Sequence, residues 1–212
     1  MILTLAAATL AAGSPTAIDA ERAFARDAQR IGQWAAFRRY AAPDAVMFTP
    51  QAVWARDFLK GRKEPARAVT WSPAASIMSC DRSVAVNAGP YASPGGEKGR
   101  FTTVWLKGKR GWKWIYDAVE PTADPVPVAA VPVVRRASCA GRPPGAPIIA
   151  PSVALAPSRG RVSPHDYGRG QSADRTLGWD WKVDEKGTRT LRVFQWTGSA
   201  YAQVVSQVVP AE

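Results

Sequence analysis

The chain has 212 residues, a formal net charge of +11 and a hydrophobic content of 46%. This length allows one sizeable domain or two small ones, and the apolar content excludes a globally disordered chain. The excess of Lys and Arg favours an acidic partner, but the basic residues are scattered and no nucleic-acid-binding module is visible. We therefore expect no specific nucleic-acid partner, and at most weak contact with anionic envelope surfaces.

Residues 1–17 form a short apolar run followed by small residues and Pro15. The run is too short to span a bilayer as a helix, and it is typical of the apolar region and cleavage zone of a signal peptide. It departs from that pattern in having no Lys or Arg at its start. We predict export to the periplasm or the medium, with a structural N-terminal helix as the alternative.

Residues 18–40 predict two helices, because Phe24 and Ala28 begin an apolar series at helical spacing and Gly32 interrupts it. Asp19 is the predicted cap of the first helix. A short strand at 45–48 and a brief helix at 53–59 follow.

Residues 83–118 predict antiparallel strands, the last two of which form a hairpin whose turn is the segment 107–111. Strict alternation along the final strand places three aromatic side chains on one face and Asp117 on the other. The three aromatic residues are Trp112, Trp114 and Tyr116.

Composition changes at residue 122, and the Pro- and Ala-rich segment 122–172 predicts a linker. Three strands are predicted within 173–212; because three strands alone are marginally stable, we expect them to pack on the first domain or on a partner. The segments GWKWIYD (111–117) and GWDWKVD (178–184) look alike, and we attribute the likeness to common strand chemistry, not to a repeat.

The order of these elements resembles the nuclear transport factor 2-like superfamily, in particular its SnoaL-like and uncharacterised bacterial domains. The resemblance covers residues 18–121 and rests on the segment 44–50 (DAVMFTP), the Gly89-Pro90-Tyr91 turn and the VWLKGKRGWKW hairpin that ends in Asp117. It implies a cone-shaped α+β domain in which a curved antiparallel sheet wraps a helix and encloses a pocket.

The resemblance also implies two further properties. Family members often form homodimers through the sheet, although the C-terminal strands could cover that face here and leave a monomer. Family isomerases and cyclases use a pocket Asp as general base. The His-Asp pairs of other members have no counterpart, because the sole histidine, His165, lies in the predicted linker.

Candidate site residues fall into three groups. Cys80 and Cys139 are the only cysteines and predict one disulfide in an exported protein, with two free thiols as the alternative. The acids nearest to the expected pocket are weak catalytic candidates: Asp117, Asp44, Asp57 and Asp81. The aromatic residues expected to line the pocket, or else to fill the core, are Trp34, Trp54, Trp71, Tyr91 and Trp105.

We expect no metal site, since no Cys-x-x-Cys motif is present, and no cofactor. The leading functional hypothesis is non-catalytic binding of a small apolar ligand, or a structural role. One alternative is a small isomerase or hydratase with an Asp general base. The other is a basic envelope-associated protein.

Overall fold

A computed structural model describes residues 15–49, 51–141, 143 and 167–211. The predicted signal peptide up to residue 14, and His165, therefore lie outside the described residues. The architecture is α+β with a mixed sheet, which confirms the predicted fold class at that level. Among the described residues, none of the helices has the length and apolar character needed to cross a bilayer.

Two consecutive helices open the fold, α1 (Ala17–Ile31) and α2 (Gln33–Tyr40), and the predicted break at Gly32 is confirmed. The N-cap is Thr16, and not Asp19 as predicted. Asp19 is the third residue of α1 and completes a capping box, in which its carboxylate accepts from the Thr16 backbone N–H at 2.9 Å. Glu64 accepts hydrogen bonds from the first free N–H groups of α2, at Trp34 (2.7 Å) and Ala35 (2.8 Å).

The first sheet has eight strands: β1 (Ala41–Phe48), β2 (Ala52–Trp54), β3 (Thr70–Trp71), β4 (Ala75–Met78), β5 (Val84–Ala92), β6 (Lys98–Gly108), β7 (Gly111–Pro121) and β8 (Val133–Arg136). Their order is β2-β1-β7-β6-β5-β4-β8, with β3 paired to β5. The pairs β1–β7 and β4–β8 are parallel and the others are antiparallel. A short helix, α3 (Ala55–Phe58), follows β2.

A second, antiparallel sheet has four strands: β9 (Tyr167–Gln171), β10 (Leu177–Val183), β11 (Arg189–Trp196) and β12 (Tyr201–Val209). Their order in the sheet is β12-β11-β10-β9. Strands β8 and β9 both fall within the segment 122–172 that was predicted to be a linker. Prolines are absent from both strands, so the local backbone is free to pair.

The β6–β7 hairpin contains a β-bulge that the alternation of residues had not predicted. Val104 pairs with Tyr116 and Trp105 pairs with Trp114, so Ile115 is an extra residue in β7. The bulge reverses the faces of the strand beyond it. Trp114 therefore shares a face with Asp117, whereas Tyr116 points to the opposite side, which corrects the predicted grouping of Trp114 with Tyr116.

The first sheet is covered on both faces. Helix residues such as Phe24 and Phe37 pack with Trp105 and Trp114 in one core. On the other face, Val86, Val104 and Tyr116 pack against side chains of the second sheet. The second-sheet residues in this core are Leu177, Trp179, Trp181, Val183, Leu191 and Val193. The result is three layers: helices, the eight-stranded sheet and the four-stranded sheet.

Cys80 and Cys139 form a disulfide, with their Cα atoms 5.2 Å apart. It links the turn after β4 to the chain that leaves β8. Next to Cys139, the backbone N–H of Ser138 donates to the Trp196 carbonyl at 2.9 Å, so the same segment also contacts the second sheet. The bond is compatible with an oxidising, extracytoplasmic location.

We expect replacement of both cysteines by Ser to lower the free energy of unfolding by about 4 kcal/mol, because the bond closes a long loop in the unfolded chain. Urea unfolding of the oxidised protein and of the double variant measures the difference. Wild-type protein in reductant is the control and should match the variant. Equal stability of the oxidised and variant proteins would contradict the expectation.

Candidate functional site

A cavity of about 210 Å³ lies between the helices and the first sheet. We call it the Asp117 cavity. Its aromatic wall consists of Trp34, Phe37, Phe48, Phe58, Trp71, Tyr91 and Phe101. Its polar lining residues are Gln33, Thr49, Ser93, Glu97 and Asp117. Such a wall with few polar groups is typical of a site for a small, largely apolar molecule.

Asp117 presents its carboxyl group to the cavity because the bulge at Ile115 turns it toward the helices. The Thr103 hydroxyl donates to Asp117 Oδ2 at 3.1 Å. Burial raises the pKa of Asp117 to about 7, against the opposing effects of the Thr103 hydrogen bond and the positive charge of Arg189. Both protonation states of this carboxyl are therefore accessible near neutral pH.

A second carboxyl with a raised pKa belongs to Glu21 of α1, which is 0% exposed. It accepts from the indole N–H of Trp71 (2.8 Å) and of Trp105 (2.6 Å), and from the Asn87 amide at 3.2 Å. Burial raises the pKa of Glu21 to about 7; the charge of Asp117 adds to the rise and the three hydrogen bonds oppose it. Since Trp71 lines the cavity, Glu21 fixes the orientation of part of its wall.

Asp117 ends a row of polar side chains that crosses the first sheet beneath the helices. Cross-strand pairing connects Ser76 to Asn87, Asn87 to Thr103 and Thr103 to Asp117. Ser76, Asn87 and Thr103 are all 0% exposed. Within the part of the chain that the structure describes, Ser76 Oγ and Asn87 Oδ1 have no hydrogen-bond partner. Polar groups buried in this way cost stability, so the row is not explained by packing alone.

The second sheet reaches the cavity wall through Arg189, which is 7% exposed. Its guanidinium group donates to the Val119 carbonyl and lies 4.6 Å from the Phe48 ring centroid. Val119 and Phe48 both line the cavity. Arg189 thus supports the wall from behind and places a positive charge near Asp117.

The predicted aromatic residues separate into two groups. Trp34, Trp71 and Tyr91 line the Asp117 cavity. Trp105 instead lies in the helix-side core beside Glu21, and Trp54 packs against the core between the sheets. The hydroxyl of Tyr91 donates to Glu97 at 2.7 Å, which places a polar pair in the cavity lining.

Of the four candidate acids, only Asp117 lines the cavity. Asp44 and Asp57 are exposed on β1 and α3. Asp81 is also exposed and accepts hydrogen bonds from Ser79 and Ser83 in the turn after β4. Glu21 was not predicted, because its neighbours in α1 are charged and suggest a solvated helix face. No group of three or more His, Cys, Asp or Glu residues that could hold a metal ion occurs among the described residues.

No family model matches the chain, and no curated protein has significant sequence similarity to it. Among solved structures, a protein of unknown function from the DUF3225 family of Pectobacterium atrosepticum is 18% identical, with a TM-score of 0.39, over 50% of this chain and 89% of its own. A provisionally assigned calcium/calmodulin-dependent protein kinase II association domain from Xanthomonas campestris is 20% identical, with a TM-score of 0.40, over 58% and 99%.

A provisionally assigned aromatic ring hydroxylase from Novosphingobium aromaticivorans is 13% identical, with a TM-score of 0.36, over 51% of this chain and 87% of its own. We draw no functional conclusion from similarities of this size.

The raised pKa values of Asp117 and Glu21 contribute a stability that falls as pH rises. Between about pH 4 and pH 7 the unfolded chain releases the protons of Asp117 and Glu21 while the folded chain retains them, since both folded pKa values are about 7. The free energy of unfolding should therefore decline by at most about 1.4 kcal/mol per pH unit for each group, and level off above pH 7.

Asp117→Asn and Glu21→Gln should each remove the part of this decline in the free energy of unfolding that comes from the substituted carboxyl. Urea unfolding followed by circular dichroism from pH 4 to pH 8 measures the slope. Asp44→Asn, which changes an exposed acid, is the control and should leave the slope unchanged. A wild-type slope in Asp117→Asn would show that this carboxyl ionises in the folded state as it does in water.

Proposed function

We propose that the chain is an exported domain of the nuclear transport factor 2-like type whose cavity binds a small, largely apolar ligand without chemical conversion. The observation that carries this proposal is an aromatic cavity lined by the carboxyl of Asp117, while the other carboxyl of the lining, that of Glu97, accepts a hydrogen bond from Tyr91. A helix pair on one face of a mixed sheet supports the proposed fold. The disulfide and the apolar N-terminal run support export.

The size and polarity of the cavity restrict the ligand. A volume of about 210 Å³ is below the range of roughly 300–1,000 Å³ that is usual for larger ligands. A compact molecule such as a single substituted ring fits this space. Because the pKa of Asp117 is about 7, its carboxyl can donate a hydrogen bond to a carbonyl or accept one from a hydroxyl.

p-Cresol is a suitable probe, since it combines an aromatic ring with one hydroxyl group. We expect saturable quenching of tryptophan fluorescence, because Trp34 and Trp71 line the cavity. Asp117→Asn should change the dissociation constant by roughly 5- to 100-fold, as a buried hydrogen bond is altered. Asp44→Asn should bind like wild type. Absence of saturation, or equal behaviour of the two variants, would contradict the proposal.

Native mass spectrometry of protein exported into an oxidising compartment complements this titration. It reports the position of signal cleavage, the loss of two hydrogens on disulfide formation and any small molecule retained from the cell. A retained compound would identify the natural ligand class directly.

A second candidate function is proton transfer by Asp117, as in an isomerase. The observation that favours it is the raised pKa of Asp117 in the cavity, since a general base acts best with a pKa near the working pH. The natural reaction would then be removal of a proton beside a carbonyl group. Asp44, Asp57 and Asp81 are exposed and have no comparable surroundings.

Deuterium exchange at the α-carbon of cyclohexanone, followed by NMR, tests this activity. The enzyme hypothesis predicts exchange above the buffer rate, and a loss of at least about 100-fold in Asp117→Asn. Asp57→Asn, on the surface of α3, should keep the wild-type rate. Exchange equal to that in buffer would leave ligand binding as the preferred function.

A further inference from the structure

The second sheet repeats β4–β7 of the first sheet in strand order and in register. The Val86–Val104 pair between β5 and β6 corresponds to the Trp179–Val193 pair between β10 and β11. A constant difference in residue number converts every paired residue of β4–β5 into a paired residue of β9–β10. A second constant difference converts the pairs of β6–β7 into pairs of β11–β12. Such agreement over three successive strand pairings defines an internal repeat.

The repeat includes the β-bulge. In the first sheet Val104 pairs with Tyr116, and Ile115 is the extra residue. In the second sheet Val193 pairs with Val205 and Phe194 pairs with Gln203, so Val204 is the extra residue. Bulges disrupt a ladder locally and are conserved within protein families. Their equivalent positions support a common origin of the two sheets.

The turn between β4 and β5 has a distinctive set of hydrogen bonds. Asp81 Oδ1 accepts from the Ser79 hydroxyl (2.6 Å) and from the Ser83 backbone N–H (2.9 Å). Ser79 Oγ in turn accepts from the Val84 N–H at 3.1 Å. Arg82 has a φ of 58°, which is uncommon for a residue other than glycine.

The turn between β9 and β10 has the same bonds. Asp174 Oδ1 accepts from the Ser172 hydroxyl (2.6 Å) and from the Thr176 N–H (3.0 Å), and Ser172 Oγ accepts from the Leu177 N–H at 3.1 Å. Arg175 has a φ of 64°. The two turns thus share the sequence pattern Ser-x-Asp-Arg-Ser/Thr and the same backbone conformation.

The two turns also bind each other reciprocally. The Asp81 N–H donates to Asp174 Oδ2 at 2.7 Å, and the Asp174 N–H donates to Asp81 Oδ2 at 3.1 Å. A contact from one unit to the other that is matched by the reverse contact is the mark of a two-fold, isologous interface. Here the two-fold relates two segments of one chain.

We infer that the second sheet takes, within one chain, the place of a second subunit on the first sheet, and that the protein is consequently a monomer. The inward residues of the repeat cover the apolar face of Val86, Val104 and Tyr116, so this face is closed to a second copy. The C-terminal strands thus cover this face, which is one of the two arrangements that the sequence left open.

The outward face of the second sheet has diverged from its counterpart in the first. Ser206 stands in the position of Asp117, and Asp180 and Arg192 replace Asn87 and Thr103. Arg192 Nε donates to Asp180 Oδ1 at 2.9 Å, and both side chains are partly exposed. Because this ion pair is open to solvent, the outward face of the second sheet needs no helix to cover it. The second sheet has therefore kept the face that packs on the first sheet but has no counterpart of the Asp117 cavity.

Sedimentation equilibrium of the oxidised full-length chain tests the inference. We expect the mass of one chain from low to high micromolar concentrations. A full-length dimer would overturn the inference, because the second sheet would then not have replaced a second subunit.

Two substitutions test the equivalence of the turns. Asp81→Asn and Asp174→Asn each keep the Oδ1 bonds within their own turn, but present an NH₂ group where the other turn needs an acceptor. Each should lower the melting temperature by a similar amount, roughly 2–8 °C.

Asp184→Asn is the matched control. Asp184 Oδ1 accepts from the N–H groups of Lys186 and Thr188 within its own hairpin turn, so the amide oxygen can replace it. Its melting temperature should stay near that of wild type. The equivalence would be overturned if only one of the two turn variants lost stability, or if both behaved like the control.

Discussion

The bulge at Ile115 is the local feature on which both functional faces of the first sheet depend. Without an extra residue in β7, strict alternation would place Asp117 on the side of the second sheet, in a largely apolar core where burying a carboxyl costs stability. With it, Asp117 meets Thr103 and the cavity, while Tyr116 contributes its ring to the core between the sheets. One inserted residue therefore allows β7 to direct Asp117 toward the cavity and Tyr116 toward the core between the sheets.

The helix-side core combines apolar packing with buried acids. The side chains of Phe24, Phe37 and Trp114 contribute van der Waals contacts and buried apolar area. Glu21 and Asp117 lie in the same layer, and the pKa values of both carboxyls are raised. Replacing such groups with apolar residues often stabilises a protein. Their presence is accounted for by the indole orientation that Glu21 fixes and by the polar group that Asp117 presents to the cavity.

Sequence reasoning succeeded where the signal is local. The helix break at Gly32 and the β6–β7 hairpin follow from spacing and turn residues, and the disulfide was predicted because the chain has only two cysteines. Asp117 was among the candidate acids, but its position in the cavity was hidden by the bulge, which leaves no mark in the residue pattern. Glu21 was hidden by its charged neighbours. The repeat was not predicted because few equivalent residues are identical outside the Asp81 and Asp174 turns, although Val104 and Val193 are. The strands share mainly their pairing register, which the sequence alone does not show.

The pairing of β8 has a consequence for the order of folding. Met78 pairs with Arg136 in a parallel ladder, next to the disulfide between Cys80 and Cys139. Joining strands so distant in sequence requires closing a long loop before any ladder bond forms, and such steps are slow. The disulfide closes almost the same loop. Once oxidation has occurred, β8 docks onto β4 as a nearby segment, so the redox state of the compartment sets how fast this edge of the sheet is completed.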